Sequence, residues 1–294
     1  MKLSFTIQRN EHGKAAHEVL SERMKMSRLM IKRIRLYGNL YVNGLPARMK
    51  DPVSSGDTVD AVYEDELLHV VRPDNTILIY YEDEWLLVCE KPAGIVTHPS
   101  WQHMDDSLIQ RLSDHRLHPV MRLDRETSGL IVIAKNGFAH HVISSEPMEK
   151  QYLGIIHGAY SVPDGTINAP IGRAPDSIMI RIIREDGHPS VTHYHTERYI
   201  KSKDISLVRF ILETGRCHQI RVHTLSLRHP LVGDGLYGPS SIDYPDPLLP
   251  SLYMDTQIER QALHACSLSF HHPISHEILR FTSDLPEDMG KLLI

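Results

Sequence analysis

The chain has 294 residues, 41% hydrophobic and 23% charged, an ordinary globular composition with length for two domains. No stretch approaches the roughly 18 uninterrupted apolar residues of a membrane helix, and the first residues lack an apolar leader core. The net charge of −5 excludes a uniformly basic nucleic-acid binder, but not a divided one: nine Lys or Arg residues lie between Lys14 and Lys50 against only Glu18 and Glu22, and acids crowd the stretch from Asp51 to Asp74.

The first 71 residues read as one compact unit. A strand over 3–8 is followed by a short helix over 15–23. Ser27 then caps a helix over Arg28–Tyr37, with Gly38 as its terminating residue. Tyr41, Val42 and Leu45 flank Asn43-Gly44, a strong hairpin signal, and a last strand covers 58–63. On the second helix Arg28, Lys32 and Arg35 recur every three or four positions as a basic stripe. Leu29, Met30, Ile31, Ile34 and Leu36 supply its apolar side.

The connection at 71–75 is polar, contains Pro73 and sits at a charge change, so the boundary is placed there, between domains 1–72 and 76–294. Beyond it strand-like runs dominate, at 77–81, 85–89, 130–134, 152–156, 191–200 and 205–212. A few short helices are expected to intervene, among them 137–145 and 217–227. Consecutive strands with few helices predict an α+β fold with a mainly antiparallel mixed sheet.

Asp124 is the residue of greatest chemical interest. It sits in Met121-Arg-Leu-Asp-Arg-Glu-Thr-Ser-Gly129, a polar turn between two apolar runs, with Arg122 and Arg125 on either side. Guanidinium groups so close favour the ionised carboxylate. A carboxylate held charged beside arginines suits covalent or electrostatic chemistry on a nucleic acid.

Four further segments accompany it. They are Glu90-Lys91-Pro92-Ala93-Gly94 with Thr97-His98-Pro99, then Glu149-Lys150-Gln151-Tyr152. Thr214-Gly-Arg216-Cys-His218-Gln-Ile-Arg221 leads into His229-Pro-Leu-Val-Gly233-Asp-Gly-Leu-Tyr237-Gly238. The last comprises Gln261-Ala-Leu-His264-Ala-Cys266 and Phe270-His-His272-Pro273. Together, in order and spacing over residues 76–282, these closely resemble the RluA/RluD-type pseudouridine synthases. The N-terminal unit resembles the S4-like RNA-binding domain through Ser27–Lys32, Gly38–Gly44 and Val53–Asp57.

The resemblance implies conversion of a uridine in structured RNA to pseudouridine, with no cofactor and no metal. It makes Asp124 the catalytic aspartate, Arg221 its cationic partner and Tyr152 the tyrosine that contacts the base. Arg122 would fill the space left by the extruded nucleotide, and Lys91 and Arg216 would bind substrate phosphates or shape the pocket. Arg28, Lys32 and Arg35 would bind RNA. Ribosomal RNA is the expected target, with transfer RNA as an alternative, and a non-catalytic RNA-binding or ribosome-assembly factor as a different class of reading. Met121 stands where the family usually has histidine, and Arg228 where glycine is usual.

Other signals lead elsewhere. Gly233-Asp-Gly-Leu-Tyr-Gly238 matches a dinucleotide motif, but Pro230 before it and Pro239 after it make it a loop. The spacing of His218 and His223 is poor for two ligands on one helix, which argues against a metal-dependent hydrolase. Cys89, Cys217 and Cys266 are widely separated and read as reduced thiols in a cytoplasmic protein, expected as a monomer.

Overall fold

The computed structural model describes residues 2–63, 76–99, 103, 106–113, 115–239 and 253–294. The expected linker at 71–75 lies outside these residues.

The N-terminal elements are β1 (Lys2–Thr6), α1 (Ala16–Glu22), α2 (Arg28–Tyr37), β2 (Asn39–Val42), β3 (Leu45–Pro46) and β4 (Thr58–Val62). The four strands form an antiparallel sheet in the order β1-β4-β2-β3. Ser27 caps α2 as expected, its hydroxyl accepting from the Met30 N–H at 3.2 Å. Asn43 and Gly44 both take left-handed angles in the β2–β3 turn.

Two details differ from expectation. Gly38 is extended, with φ −120° and ψ −166°, so it does not end α2 as a left-handed cap. Its role is steric: a Cβ there would stand 2.3 Å from the Val62 carbonyl. Leu29 is 62% exposed, so the apolar face of α2 rests on the buried Met30 and Ile34.

The second part contains β5 (Ile79–Glu82), β6 (Leu86–Lys91), α3 (Leu108–Leu112), β7 (His118–Pro119), β8 (Ser128–Ala134), α4 (Gly137–Ser145) and β9 (Glu149–His157). It continues through β10 (Asp164–Asn168), β11 (Ile171–Arg173), β12 (Arg181–Ile183), β13 (Val191–Ile200), β14 (Ile205–Leu212), α5 (Gln219–Ser226), β15 (Leu263–His271), β16 (Ile278–Thr282) and α6 (Glu287–Leu292). Its main sheet runs β10-β13-β14-β9-β15-β8-β6-β5, with β7 on β8 and β16 on β15. All of these pairs are antiparallel except β15 with β8. The expected α+β class with a mixed, mainly antiparallel sheet is therefore observed.

β15 had no counterpart among the expected strands, yet it lies in the middle of the sheet. It docks beside β8 because Gly129 leaves room. That glycine has φ +114°, and a Cβ on it would meet the Ala265 backbone at 2.3 Å. Every residue of β8 is buried, as expected for a central strand covered on both faces.

The N-terminal core does not close on itself. Phe138 and Val142 of α4 join Leu20, Met30 and Ile34 in one buried cluster, with Trp85 packed against it. A Lys25–Glu146 ion pair at 2.8 Å spans the same contact. The basic helix is thereby seated on the element directly following β8.

Candidate active site

Asp124 lies on the loop between β7 and β8, as the two flanking apolar runs suggest. Its carbonyl accepts from the Thr127 N–H at 3.1 Å, closing a tight turn. The buried Thr97 hydroxyl donates to the Leu123 carbonyl at 3.1 Å and accepts the Leu123 N–H at 3.3 Å. Leu123 itself points into the core. Residues 122–127 are thus pinned from both sides, and the Asp124 side chain stays 25% exposed.

Lys91 contributes to this pinning and not to the pocket. It is fully buried, and its Nζ reaches the carbonyls of Pro92 at 2.8 Å, Ile95 at 2.8 Å and Arg125 at 2.9 Å. Three acceptors match the three protons of the ammonium, leaving none for a substrate phosphate. The expectation that Lys91 binds substrate phosphates is corrected on that ground. Burial pulls its pKa down to about 7, opposed by Glu126 and Asp124.

Arg221 comes from α5, 97 residues further along the chain, and its Nη1 donates to Asp124 Oδ2 at 3.0 Å. The other edge of the guanidinium forms a fork on Asp234, with Nε to Oδ2 at 2.7 Å and Nη2 to Oδ1 at 2.8 Å. Asp234 is fully buried and also accepts the N–H groups of Leu236 and Tyr237 at 3.0 Å. Burial works against the Arg221 cation, but the hydrogen bonds and charge of Asp234, with Asp124 behind them, leave its pKa raised. The guanidinium carbon lies 4.9 Å from the Tyr237 ring centroid.

Asp234 sits in the Gly233–Gly238 loop and is the main functional residue that the sequence did not single out. The loop is not a dinucleotide motif, but its carboxylate fixes the orientation of Arg221. Only the unusual placement of a charged residue between two glycines hints at this.

His218 stands on the other side of Asp124, its Nε2 3.9 Å from Oδ2. Its Nδ1 lies 2.7 Å from the Tyr237 hydroxyl, which accepts the Arg181 N–H at 2.8 Å. The residue holds a left-handed backbone, φ +58°, at the start of α5. That conformation is uncommon for a side-chain-bearing residue and places Cys217 and His218 toward the pocket. Burial lowers the His218 pKa, with Asp124 opposing.

The pocket in front of these groups has a volume of about 560 Å³. Asp124, Arg122, Lys150, Tyr152, Arg216 and Cys217 line it. Tyr152, 6% exposed, rises from the centre of β9, paired with Phe210 on one side and Ala265 on the other. Burial, and then the negative charge of Asp124, raise its phenol pKa, so the hydroxyl keeps its proton. Arg122 and Arg216 are exposed at the rim. Lys150, half-buried, was not singled out in the sequence, and burial lowers its pKa.

Met121 lines the same pocket and packs against two apolar clusters. An apolar side chain therefore suits the position where histidine is usual. Arg28, Lys32 and Arg35 are elsewhere, along a groove of about 770 Å³ between α2 and the β2–β3 hairpin, together with His17, Arg48 and Lys50.

A pinned carboxylate gripped by a buried arginine, beside a protonated tyrosine in an open basic-rimmed pocket, suits chemistry at a sugar carbon next to a flat base. Comparison with known proteins gives the same class. The family model described as RNA pseudouridylate synthase matches residues 85–226. An uncharacterized RNA pseudouridine synthase of Bacillus subtilis, YjbO, is 37% identical over 87% of this chain and 90% of its own length. The ribosomal large subunit pseudouridine synthase D of Xanthomonas campestris is 36% identical over 87% of this chain and 80% of its own. Among solved structures, the human RNA pseudouridylate synthase domain containing 1 superposes with a TM-score of 0.57 at 25% identity, over 73% of this chain and 86% of its own. The chain belongs to this family and is an RNA pseudouridine synthase, an isomerase.

Proposed function

We propose that the protein isomerises a uridine of ribosomal RNA, in the large subunit, with Asp124 as the reacting carboxylate. Relatives named for the large ribosomal subunit support that target. One observation carries the site assignment: the chain of contacts from Asp234 through Arg221 to Asp124, opening onto the pocket that Tyr152 lines.

In this reading the bond between ribose C1′ and uracil N1 breaks, and the Asp124 carboxylate either attacks C1′ or stabilises its positive charge. The ring turns, C5 bonds to C1′, C5 gives up its proton and N1, freed from the sugar, takes one up, so atoms and electrons balance without an added reagent. Arg221 holds the carboxylate in place, its own charge offset by Asp234. Tyr152 offers a flat face to the base and keeps its proton, which suits stacking and hydrogen-bond donation better than removal of a proton. Reaching C1′ requires the nucleotide to leave its stack, and Arg122, exposed at the rim, would occupy the gap. Arg216 and Lys150 would neutralise the flanking phosphates.

The unit ahead of residue 72 would act as an S4-like RNA-binding module, holding the substrate through Arg28, Lys32 and Arg35, with the catalytic domain beginning at 76. The enzyme would work as a monomer in the cytoplasm.

The test uses ribosomal RNA tritiated on uracil C5. The native chain should release tritium, and Asp124→Asn should lower release by on the order of 10⁴-fold while still shifting RNA on a gel. Retained release in Asp124→Asn would remove this carboxylate from the chemistry.

A further inference from the structure

Asp124 has two neighbours that the isomerisation does not require. The ligand atoms of Asp124, Cys217 and His218 all lie within 4.8 Å of one another. Asp124 and Cys217 line the open pocket, and His218 lines the small recess that it shares with Asp124. Histidine spacing alone does not reveal this group, because its members come from two segments, with Cys217 and His218 adjacent in sequence. We propose that Asp124, Cys217 and His218 form a site for a borderline-soft divalent cation such as Zn²⁺, and that an ion bound there shuts the enzyme off.

The donor set favours this class of ion. Thiolate, imidazole and carboxylate together are the ligands of zinc, whereas Mg²⁺ and Ca²⁺ take oxygen. Three protein ligands with the fourth direction open to a pocket leave room for one water. The imidazole is already oriented from behind. Its Nδ1 lies 2.7 Å from the Tyr237 hydroxyl, the kind of outer contact that fixes a ligating histidine with Nε2 facing the ion. Nε2 is the nitrogen that faces Asp124.

Charge also permits it. Arg221 touches Asp124 and would repel a cation, but Asp234 forms a fork on that guanidinium and cancels it. The Asp124 carboxylate and a Cys217 thiolate then offset the two charges of the ion. Binding exchanges the thiol proton for the metal–sulfur bond, the proton passing to solvent, with no change in oxidation state. An ion so placed takes up the Asp124 oxygens and fills the space that the ribose needs. Inhibition therefore rests on the reading of Asp124 above; binding itself does not.

The test is titration of the full chain with Co²⁺, a spectroscopic stand-in, followed by displacement with Zn²⁺. The expected result is one equivalent bound with thiolate-to-cobalt charge-transfer absorption. Cys217→Ser should abolish that band and weaken binding by at least about 100-fold, and Tyr237→Phe should weaken it about tenfold. A native chain without the thiolate band, or Cys217→Ser binding as tightly as the native chain, would overturn the site. Should Cys217→Ser fail to fold, Zn²⁺ must slow alkylation of Cys217 in the native chain, located by mass spectrometry; an unchanged rate overturns the proposal equally. In a second arm Zn²⁺ should stop tritium release and a chelator restore it. Release unaffected by saturating Zn²⁺ would overturn the inhibitory role, and a native chain that releases no tritium even without Zn²⁺ would instead count against the proposed function.

Discussion

Two cavities of the molecule differ in kind. The N-terminal groove is the bigger, about 770 Å³ against about 560 Å³, and carries many cations. Yet Arg28, Lys32 and Arg35 point into solvent on one helix, where charges are hydrated and weakly coupled. The Asp124 pocket is smaller, but its charges are drawn from loops and helices nearly a hundred residues apart and held by hydrogen bonds at 2.7–3.0 Å. Size identifies a surface that can hold a polyanion. Fixed, desolvated charge identifies the place where a bond can be broken.

That contrast can be broken at several points, beginning where the effect is largest. Asp234→Ala leaves the Arg221 guanidinium buried with one carboxylate in place of two. A buried pair broken on one side costs about 3–5 kcal/mol, so thermal unfolding should fall sharply and tritium release with it. Unchanged stability would mean that Arg221 is not held as described.

Next is the support under the Asp124 turn. His264 is buried between the hydroxyls of Ser128 at 2.9 Å and Ser283 at 3.0 Å. Burial lowers its pKa to about 4, with Glu90 opposing. The fold therefore favours neutral imidazole. Above the ordinary value of 6.5 this contribution is fully present; as pH falls from 6.5 to 4 the unfolded chain takes up the proton first and stability is lost. Over that window the loss is about 3 kcal/mol, at about 1.4 kcal/mol per pH unit. Measured against pH, the melting temperature of His264→Gln should fall less steeply there than that of the native chain. Parallel curves would show that His264 is not the group responsible.

The smallest effect belongs to the groove. Replacing Arg28, Lys32 and Arg35 by Ala should leave the melting temperature nearly unchanged. It should raise KM with little change in kcat, and reduce the salt slope of RNA binding by about 0.7–0.9 for each phosphate no longer neutralised. A large fall in kcat with unchanged KM would place the chemistry in the wrong cavity.

Much of this difference was legible in the sequence because it was local. The Ser27 cap, the Asn43-Gly44 turn and the strand runs over 191–200 and 205–212 each depend on near neighbours, and each is present. What was missed depends on distance. β15 reads poorly as a strand because it is buried on both faces and carries His264, Ser267 and Ser269. Its place beside β8 is decided by the absence of a side chain at Gly129, 136 residues from its partner Ala265. The substrate role of Lys91 came from the resemblance alone; lysines are seldom fully buried, and nothing nearby in sequence announces three waiting carbonyls. Asp234 was discounted along with a motif that its loop does not make.

The most direct test of the central claim is a double-mutant cycle on tritium release with Asp124→Asn, Arg221→Gln and both together, in single turnovers. If the carboxylate and guanidinium act as one unit, the double variant is no slower than the worse single variant to within a few-fold. Losses that multiply, with each single variant retaining its own share of activity, would contradict it.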